Sequence, residues 1–347
     1  MQFPTHPSLR LAGVPCDASF PRTLSTLHWP KRAAWMSRVE VLSHEETGTS
    51  AILLRLAMAD RYDAIVVDGA TGGKVRVADL GAAMLLARRR SGPTVIITDA
   101  TWSRGSQSFD RLACRIGIRA IDSPRVIYCV LSSDEQRAFA NTWKVDPARV
   151  VFTPFYFTAG DHDLAAPTRE DGSVFAGGDS LRDYRPLLRA ARSLQVPVKI
   201  AASLERRGLP GNVSAGRVSH ARFLELMRNA SAVVVPLAAR ERSAGQQTYL
   251  NAMAYGKLVI VPDVAGVRDY IADRKTGIIV PPGDADALAS AIDWALDPAH
   301  RSDVARISAL AKADARRRFS PDVYVERVLE VIRRFARRTP YRTASRA

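Results

Sequence analysis

The chain has 347 residues, 47% hydrophobic, 24% charged and 7% aromatic, a balance that excludes disordered, collagenous and coiled-coil proteins. At about 100–200 residues per domain, this length predicts two domains, each burying its own core. Fifty Lys and Arg against thirty-five Asp and Glu leave a net charge of +15, and ten Arg against three acidic residues from Arg316 onward hold about half of that excess.

The N-terminal MQFPTHPSLRLAG lacks the charged-then-apolar pattern of a signal peptide. Apolar runs such as Ala64–Val67 and Ala232–Leu237 are far shorter than the roughly 20 residues of a membrane span. Cys16, Cys114 and Cys129 are too few and too scattered for a disulfide framework or a zinc site. A soluble, cytoplasmic protein is the expectation.

Before about residue 60 no firm periodicity emerges. From there short apolar runs alternate with amphipathic ones: a strand at Asp63–Asp68, a helix at Val77–Arg90, strands at Thr94–Thr98 and Val126–Leu131, and a helix at Ser133–Thr142. The first helix closes on Arg88, Arg89 and Arg90 before Gly92-Pro93, as a helix C-terminus favours. Val150–Glu170, with Pro154, Gly160 and Pro167, interrupts the rhythm and reads as a linker. The alternation resumes with strands at Ser173–Ala176, Val198–Ala201, Ala232–Pro236, Leu258–Val261 and Gly277–Val280. Helices at Asp183–Leu194, Ala221–Asn229, Gln246–Tyr255 and Ala285–Leu296 fall between and after them. Unbroken apolar strands alternating with helices predict parallel sheets covered on both faces, here two α/β domains with a cleft between them.

Two strand ends carry candidate chemistry. After Val174–Ala176 come Gly177-Gly178, then Asp179-Ser180, which are suited to cap a helix opening near Leu181 with Arg182 in its first turn. Glycines admit a ligand close to the backbone, a helix N-terminus favours phosphate, and a guanidinium grips a diphosphate with two parallel bonds. Taken alone, the same residues also make an ordinary tight turn. After Ala232–Pro236, a polar loop with Arg240, Glu241, Arg242 and Ser243 leads into a helix at Gln246 and Gln247. That loop lies at the carboxyl end of a parallel strand, where ligands bind.

The ordered set Ala176–Gly178, Leu209–Val213, Ala232–Leu237, Leu250–Lys257 (LNAMAYGK), Gly266 and Asp273–Asp284 (DRKTGIIVPPGD) resembles the donor-binding domain of GT-B glycosyltransferases, particularly glycosyltransferase family 4. The likeness covers about residues 126–330. It implies a GT-B fold of two Rossmann-like domains: an acceptor-side domain over 1–155, a nucleotide-sugar domain over 170–320, and a C-terminal helix (Asp322–Arg338) with a basic tail over 321–347. The family pattern EGFGxPxLEAMAxG places its two glutamates at Ser243 and Asn251, so both carboxylates are replaced. By this resemblance Gly177, Gly178, Arg240, Arg242, Ser243, Gln246, Gln247 and Asn251 bind the donor, and Arg182 stabilises the leaving diphosphate. Asp99 stands after the strand Thr94–Thr98, where many members have a histidine, and reads equally as an acceptor base and as a turn residue.

The resulting expectation is a metal-independent transfer of a sugar from a UDP- or GDP-type donor to a saccharide or lipid-linked acceptor, as in cell-envelope polysaccharide or glycoconjugate synthesis, with no bound cofactor. Arg88–Arg90 and the basic tail suit peripheral contact with an anionic membrane at its inner face. Loss of both glutamates supports the alternative, a non-catalytic nucleotide-sugar-binding partner on the same fold. Nucleic-acid binding is disfavoured, because the charge lacks interleaved aromatic residues.

Overall fold

The computed structural model describes residues 19–27, 32–41, 56, 59–71, 74–75, 77–102, 108–205 and 207–336. They form two compact units, one running to Thr153 and resuming at Tyr324, the other spanning Pro154–Val323.

The first unit is a six-stranded parallel sheet in the order β2-β1-β3-β6-β7-β8. Its strands are β1 (Thr23–Ser25), β2 (Val39–Val41), β3 (Ala64–Asp68), β6 (Thr94–Thr98), β7 (Val126–Val130) and β8 (Val150–Phe152), with a small antiparallel pair, β4 (Ala70–Thr71) and β5 (Lys74–Val75), beside it. β3, β6 and β7 are buried along their whole length, as strands covered on both faces must be. Helices α1 (Ala33–Met36), α2 (Val77–Ala87), α3 (Ser108–Ile121) and α4 (Ser133–Trp143) connect the strands. Ser132 caps α4 by accepting from the Glu135 N–H, while the Glu135 carboxylate accepts from the Leu131 N–H.

The second unit repeats the architecture, in the order β11-β10-β9-β12-β13-β14. The strands are β9 (Val174–Gly177), β10 (Val198–Ala201), β11 (Val213–Ala215), β12 (Ala232–Val234), β13 (Leu258–Pro262) and β14 (Ile278–Val280). Its helices are α5 (Asp161–Ala165), α6 (Arg185–Ala190), α7 (His220–Asn229), α8 (Gln246–Tyr255), α9 (Ala285–Leu296) and α10 (Arg301–Arg318). Side chains alternate to the two faces of this sheet. Phe175, Val233 and Val259 join one apolar core with α8 and α10, and Val174, Val234 and Ile260 join another with α6 and α9. A last helix, α11 (Pro321–Phe335), belongs to the first unit from Tyr324 onward.

Two parallel sheets of six strands, each flanked by helices, form the GT-B arrangement of two Rossmann-like domains. Several boundaries differ from the sequence reading. The helix expected over Val77–Arg90 stops at Ala87, and Arg88–Arg90 form the turn beyond it. Val150–Phe152 is the sheet's edge strand β8 rather than the start of a linker, and Asp161–Ala165 is a short helix. The final helix ends at Phe335; Arg337 and Arg338, expected within it, lie outside the described residues.

Candidate functional site

The helix expected to open near Leu181 does not form there. Leu181 has φ +51°, Arg182 makes an isolated antiparallel bridge with Leu237, and α6 starts only at Arg185. The strand-end loops are instead sewn together: the Asp183 N–H donates to Pro236 O at 2.8 Å and the Ala238 N–H to Leu181 O at 3.0 Å. Arg182 is therefore a loop residue whose position is fixed by both β9 and β12.

Glycines make room for this arrangement. Gly178 has φ +100°, and a Cβ there would sit 3.0 Å from Arg182 Nη2. A Cβ on Gly177 would meet the Phe223 ring at 2.4 Å. The Arg182 side chain reaches the surface in part, but its guanidinium is enclosed. Nε donates to Gly177 O (3.2 Å), Nη1 to Ser180 O (2.7 Å) and Nη2 to Thr248 Oγ1 (3.1 Å). Burial pushes its pKa down, only partly opposed by Tyr184, Tyr249 and Asp179, yet a guanidinium stays charged. Its partners are two carbonyls and a hydroxyl, and among the described residues no carboxylate pairs with it.

Thr248 lies in the first turn of α8. That helix opens at Gly245 (φ +86°) with no capping side chain and no acidic residue in its first turn. A Cβ on Gly245 would lie 2.8 Å from Leu237 Cδ2, so both conformation and packing require glycine. An uncapped helix N-terminus presents backbone N–H groups and the positive end of the helix dipole. Together, the Gly177-Gly178 turn, Arg182 and the opening of α8 make a site of positive potential that can take a phosphate or diphosphate.

The other candidate residues divide. Ser243 is buried, and its Oγ accepts from Gln246 Nε2 at 2.6 Å. Asn251 is also buried, and its Oδ1 accepts from the Thr158 N–H (2.7 Å) and the Ala159 N–H (3.0 Å). Asn251 Nδ2 donates to Thr158 Oγ1, which also accepts from Gln247 Nε2 at 2.9 Å. Both lone pairs of the Asn251 amide oxygen are thus engaged by the segment entering the unit. That segment is further held by Phe155 N–H to Tyr270 OH and Phe157 N–H to Phe319 O. Arg240 is exposed, whereas Arg242 is half-buried with an Nε that is shielded from solvent and makes no hydrogen bond. Thr158, Gly245 and Thr248 escaped the sequence reading. Only Gly245, immediately before a helix with no Ser, Thr, Asp or Asn cap, left a signal.

Asp99 belongs to the first unit, in the turn leaving β6, with φ +50°. The Ala100 N–H donates to Cys129 O, and Gly69 approaches so closely that a Cβ there would lie 3.0 Å from Asp99 O. Burial pushes the neighbouring Cys129 thiol up to about 12, with Thr153 opposing and Asp99 adding to the rise. Among the described residues no three His, Cys, Asp or Glu side chains are grouped to hold a metal ion, and no helix is long and apolar enough to cross a membrane.

Residues 174–297 match the family described as "Glycosyl transferases group 1". No curated protein matches the sequence itself. Among solved structures, the chain resembles Anabaena Alr3699/HepE in complex with UDP and glucose: 17% identity, 86% of each chain covered, TM-score 0.62. It also resembles a glycosyltransferase from Rickettsia africae (13% identity, 87% of this chain and 86% of that one, TM-score 0.62). WaaG, a glycosyltransferase of lipopolysaccharide biosynthesis, shares 14% identity over 82% of this chain and 94% of its own, with a TM-score of 0.53.

Proposed function

We propose that this chain, a GT-B fold whose second unit carries a group 1 glycosyltransferase domain, moves a sugar from a nucleoside diphosphate sugar to an acceptor hydroxyl. The observation that carries the reading is the enclosed Arg182 guanidinium, held by Gly177 O, Ser180 O and Thr248 Oγ1 but paired with no carboxylate, at the uncapped start of α8. A buried cation without a counter-charge is costly, and a bound diphosphate supplies that charge.

In the reaction, the bond between the anomeric carbon and the diphosphate oxygen breaks. The electron pair leaves with the nucleoside diphosphate, and the acceptor oxygen forms the new glycosidic bond. The helix dipole, first-turn N–H groups and Arg182 stabilise the charge developing on the leaving group, a task that requires no metal ion. We assign acceptance of the hydroxyl proton to Asp99, at the carboxyl edge of the first sheet where α/β folds bind ligands. The HepE complexes with UDP and UDP-glucose support a uridine donor, and WaaG, involved in lipopolysaccharide biosynthesis, supports an envelope glycoconjugate acceptor.

One observation favours a second reading, a nucleotide-sugar-binding protein without turnover: Ser243 and Asn251, which replace the family's glutamates, are both engaged inside the protein. Thermal melts with UDP, GDP and their sugar conjugates, followed by release of free nucleoside diphosphate in the presence of acceptor, separate the two. Transfer expects a melting shift with one nucleotide class and release that ceases in Asp99→Asn. A shift with no release across all donors and acceptors establishes the second reading, and no shift at all refutes both.

A further inference from the structure

We propose that Thr248 is the positioning residue of the anion site: its hydroxyl aims the Arg182 guanidinium at the negative charge that appears on a departing diphosphate. This role rests on the diphosphate reading of the site. It adds the residue through which Arg182 serves the leaving group more than the intact donor.

Two of the three acceptors around Arg182 travel with its own loop. Gly177 O and Ser180 O lie within five residues of it and hold Nε and Nη1. The third acceptor comes from elsewhere. Nη2 donates at 3.1 Å to Thr248 Oγ1, 66 residues away in the first turn of α8. On the loop side Gly178 leaves Nη2 its space, since a Cβ there would stand 3.0 Å from that nitrogen. The Tyr184 hydroxyl, which feels the guanidinium charge, is spent on Gly178 O at 2.6 Å. Among the described residues Thr248 is the only side chain that hydrogen-bonds the guanidinium, and Arg182 is the only hydrogen-bond partner of the Thr248 hydroxyl.

The hydroxyl is a fixed point. Thr248 is buried, and its neighbours Tyr249 and Leu250 sit in the apolar core with Val233 and Val259. Without this bond the guanidinium would be held only by a loop whose Gly178 and Leu181 both have left-handed backbones, and it would lose its register with the first-turn N–H groups of α8. The chemistry of the anchor also matters. A carboxylate here would hold Nη2 and cancel its charge, and an apolar side chain would release it. A hydroxyl holds the cation and leaves its charge for a ligand. A free nucleoside diphosphate carries about one more negative charge on its terminal phosphate than the same phosphate esterified to a sugar. A cation kept in register therefore gains more with the leaving group than with the donor, and such differential stabilisation speeds a transfer.

The test is titration calorimetry of the full chain at pH 8 with UDP and UDP-glucose and, in parallel, with GDP and GDP-glucose. Thr248→Val keeps the branched shape. It should raise the Kd of the bare diphosphate about tenfold and that of its sugar conjugate about threefold or less, so the ratio between them narrows. Thr248→Ala should give the same pattern, while Thr248→Ser should keep both affinities within about twofold of the parent. In an Arg182→Met background, Thr248→Val should change either Kd by less than about twofold, because the hydroxyl acts through the guanidinium. An equal loss for both ligands, a further loss in the Arg182→Met background, or a serine variant as weak as the valine one overturns the proposal. Failure of the underlying reading has a different signature. A parent that binds neither pair, or an Arg182→Met variant that binds as the parent does, removes the diphosphate site and the role of Thr248 with it. Weakened binding in Arg182→Met with Thr248→Val unchanged leaves that site standing and refutes the role of Thr248 alone.

Discussion

Replacing Arg182 by Met tests whether this cation exists for a ligand or for the fold. Met keeps most of the apolar stem and removes the charge. In the unliganded protein the loss comprises three hydrogen bonds, to Gly177 O, Ser180 O and Thr248 Oγ1. At about 0.5–1.5 kcal/mol each they contribute about 1.5–4.5 kcal/mol. Against this stands the desolvation of an enclosed guanidinium with no counter-charge, also several kcal/mol. The two nearly cancel, so the melting temperature of the ligand-free variant should stay within about 4 °C of the parent. Binding should behave otherwise. A charge-assisted contact to a diphosphate contributes about 1.5–3 kcal/mol, hence a Kd raised from roughly tenfold to over a hundredfold. At a nucleotide concentration 100 times the parent Kd, ligand stabilisation should fall from about 2.7 kcal/mol to between about 1.4 and 0.3 kcal/mol. For a unit of this size the melting shift then drops from about 5–11 °C to about half of that or less. A variant that melts far below the parent without ligand would make Arg182 a structural residue. A variant that keeps the full nucleotide shift would place the anion elsewhere.

Asn251→Ala strips the acceptor from two backbone N–H groups at Thr158 and Ala159, and should destabilise the second unit by about 2–4 kcal/mol in urea unfolding; a loss below about 1 kcal/mol would show that the segment re-pairs freely. Gly245→Ala forces a side chain into a left-handed position against Leu237, and should cost about 2–3 kcal/mol and weaken nucleotide binding, read by melting and titration calorimetry. Cys129, raised to about 12 by burial, should resist thiol reagents in the folded protein at pH 8 and react only on unfolding. Because its folded pKa lies above the ordinary thiol value near 8.5, its contribution to stability is complete below that pH and is lost as pH rises toward 12. Cys129→Ala should flatten that alkaline decline.

The buried strands were legible because parallel strands covered on both faces are unbroken apolar runs: Thr94–Thr98 was read to the residue, and β7 and β13 to within one residue. The elements that escaped reading are those whose burial leaves little pattern. β1, β2 and β11 are three residues long, too short for a period. Helix α10 buries only Ile307, Ala311 and Ala315, a stripe of mostly small side chains in an arginine-rich segment. At the site, glycine turns and arginines were visible as residue types, but their arrangement was not. Arg182 was placed in a helix that starts three residues later, because the bridge to Leu237 and the hydrogen bonds between the two loops join positions about 55 residues apart. Thr158 and Asn251 meet across 93 residues, a partnership that no local spacing encodes.

The two neutral side chains Ser243 and Asn251 take on meaning from the cations around them. The start of α8 carries no acidic side chain in its first turn, Arg182 has no carboxylate partner, and Arg242 keeps a shielded Nε without a hydrogen bond. A glutamate at Ser243 or Asn251 would place a buried anion within two turns of this helix start and offset part of that positive field. Asn251 retains the acceptor geometry a carboxylate would offer, since two N–H groups converge on its Oδ1, but brings no charge. Gln246 Nε2 likewise closes on the Ser243 hydroxyl rather than on a carboxylate. The field at the proposed diphosphate position is therefore less compensated than it would be with a glutamate at either position, and neither position offers a carboxylate to a sugar hydroxyl. By that reasoning Asn251→Glu should restore hydroxyl recognition at the expense of charge. It should weaken binding of the bare nucleoside diphosphate while narrowing the gap between it and the intact nucleotide sugar. Competition calorimetry with the two ligands measures that gap directly, and a glutamate variant that tightens the bare diphosphate would refute the electrostatic account.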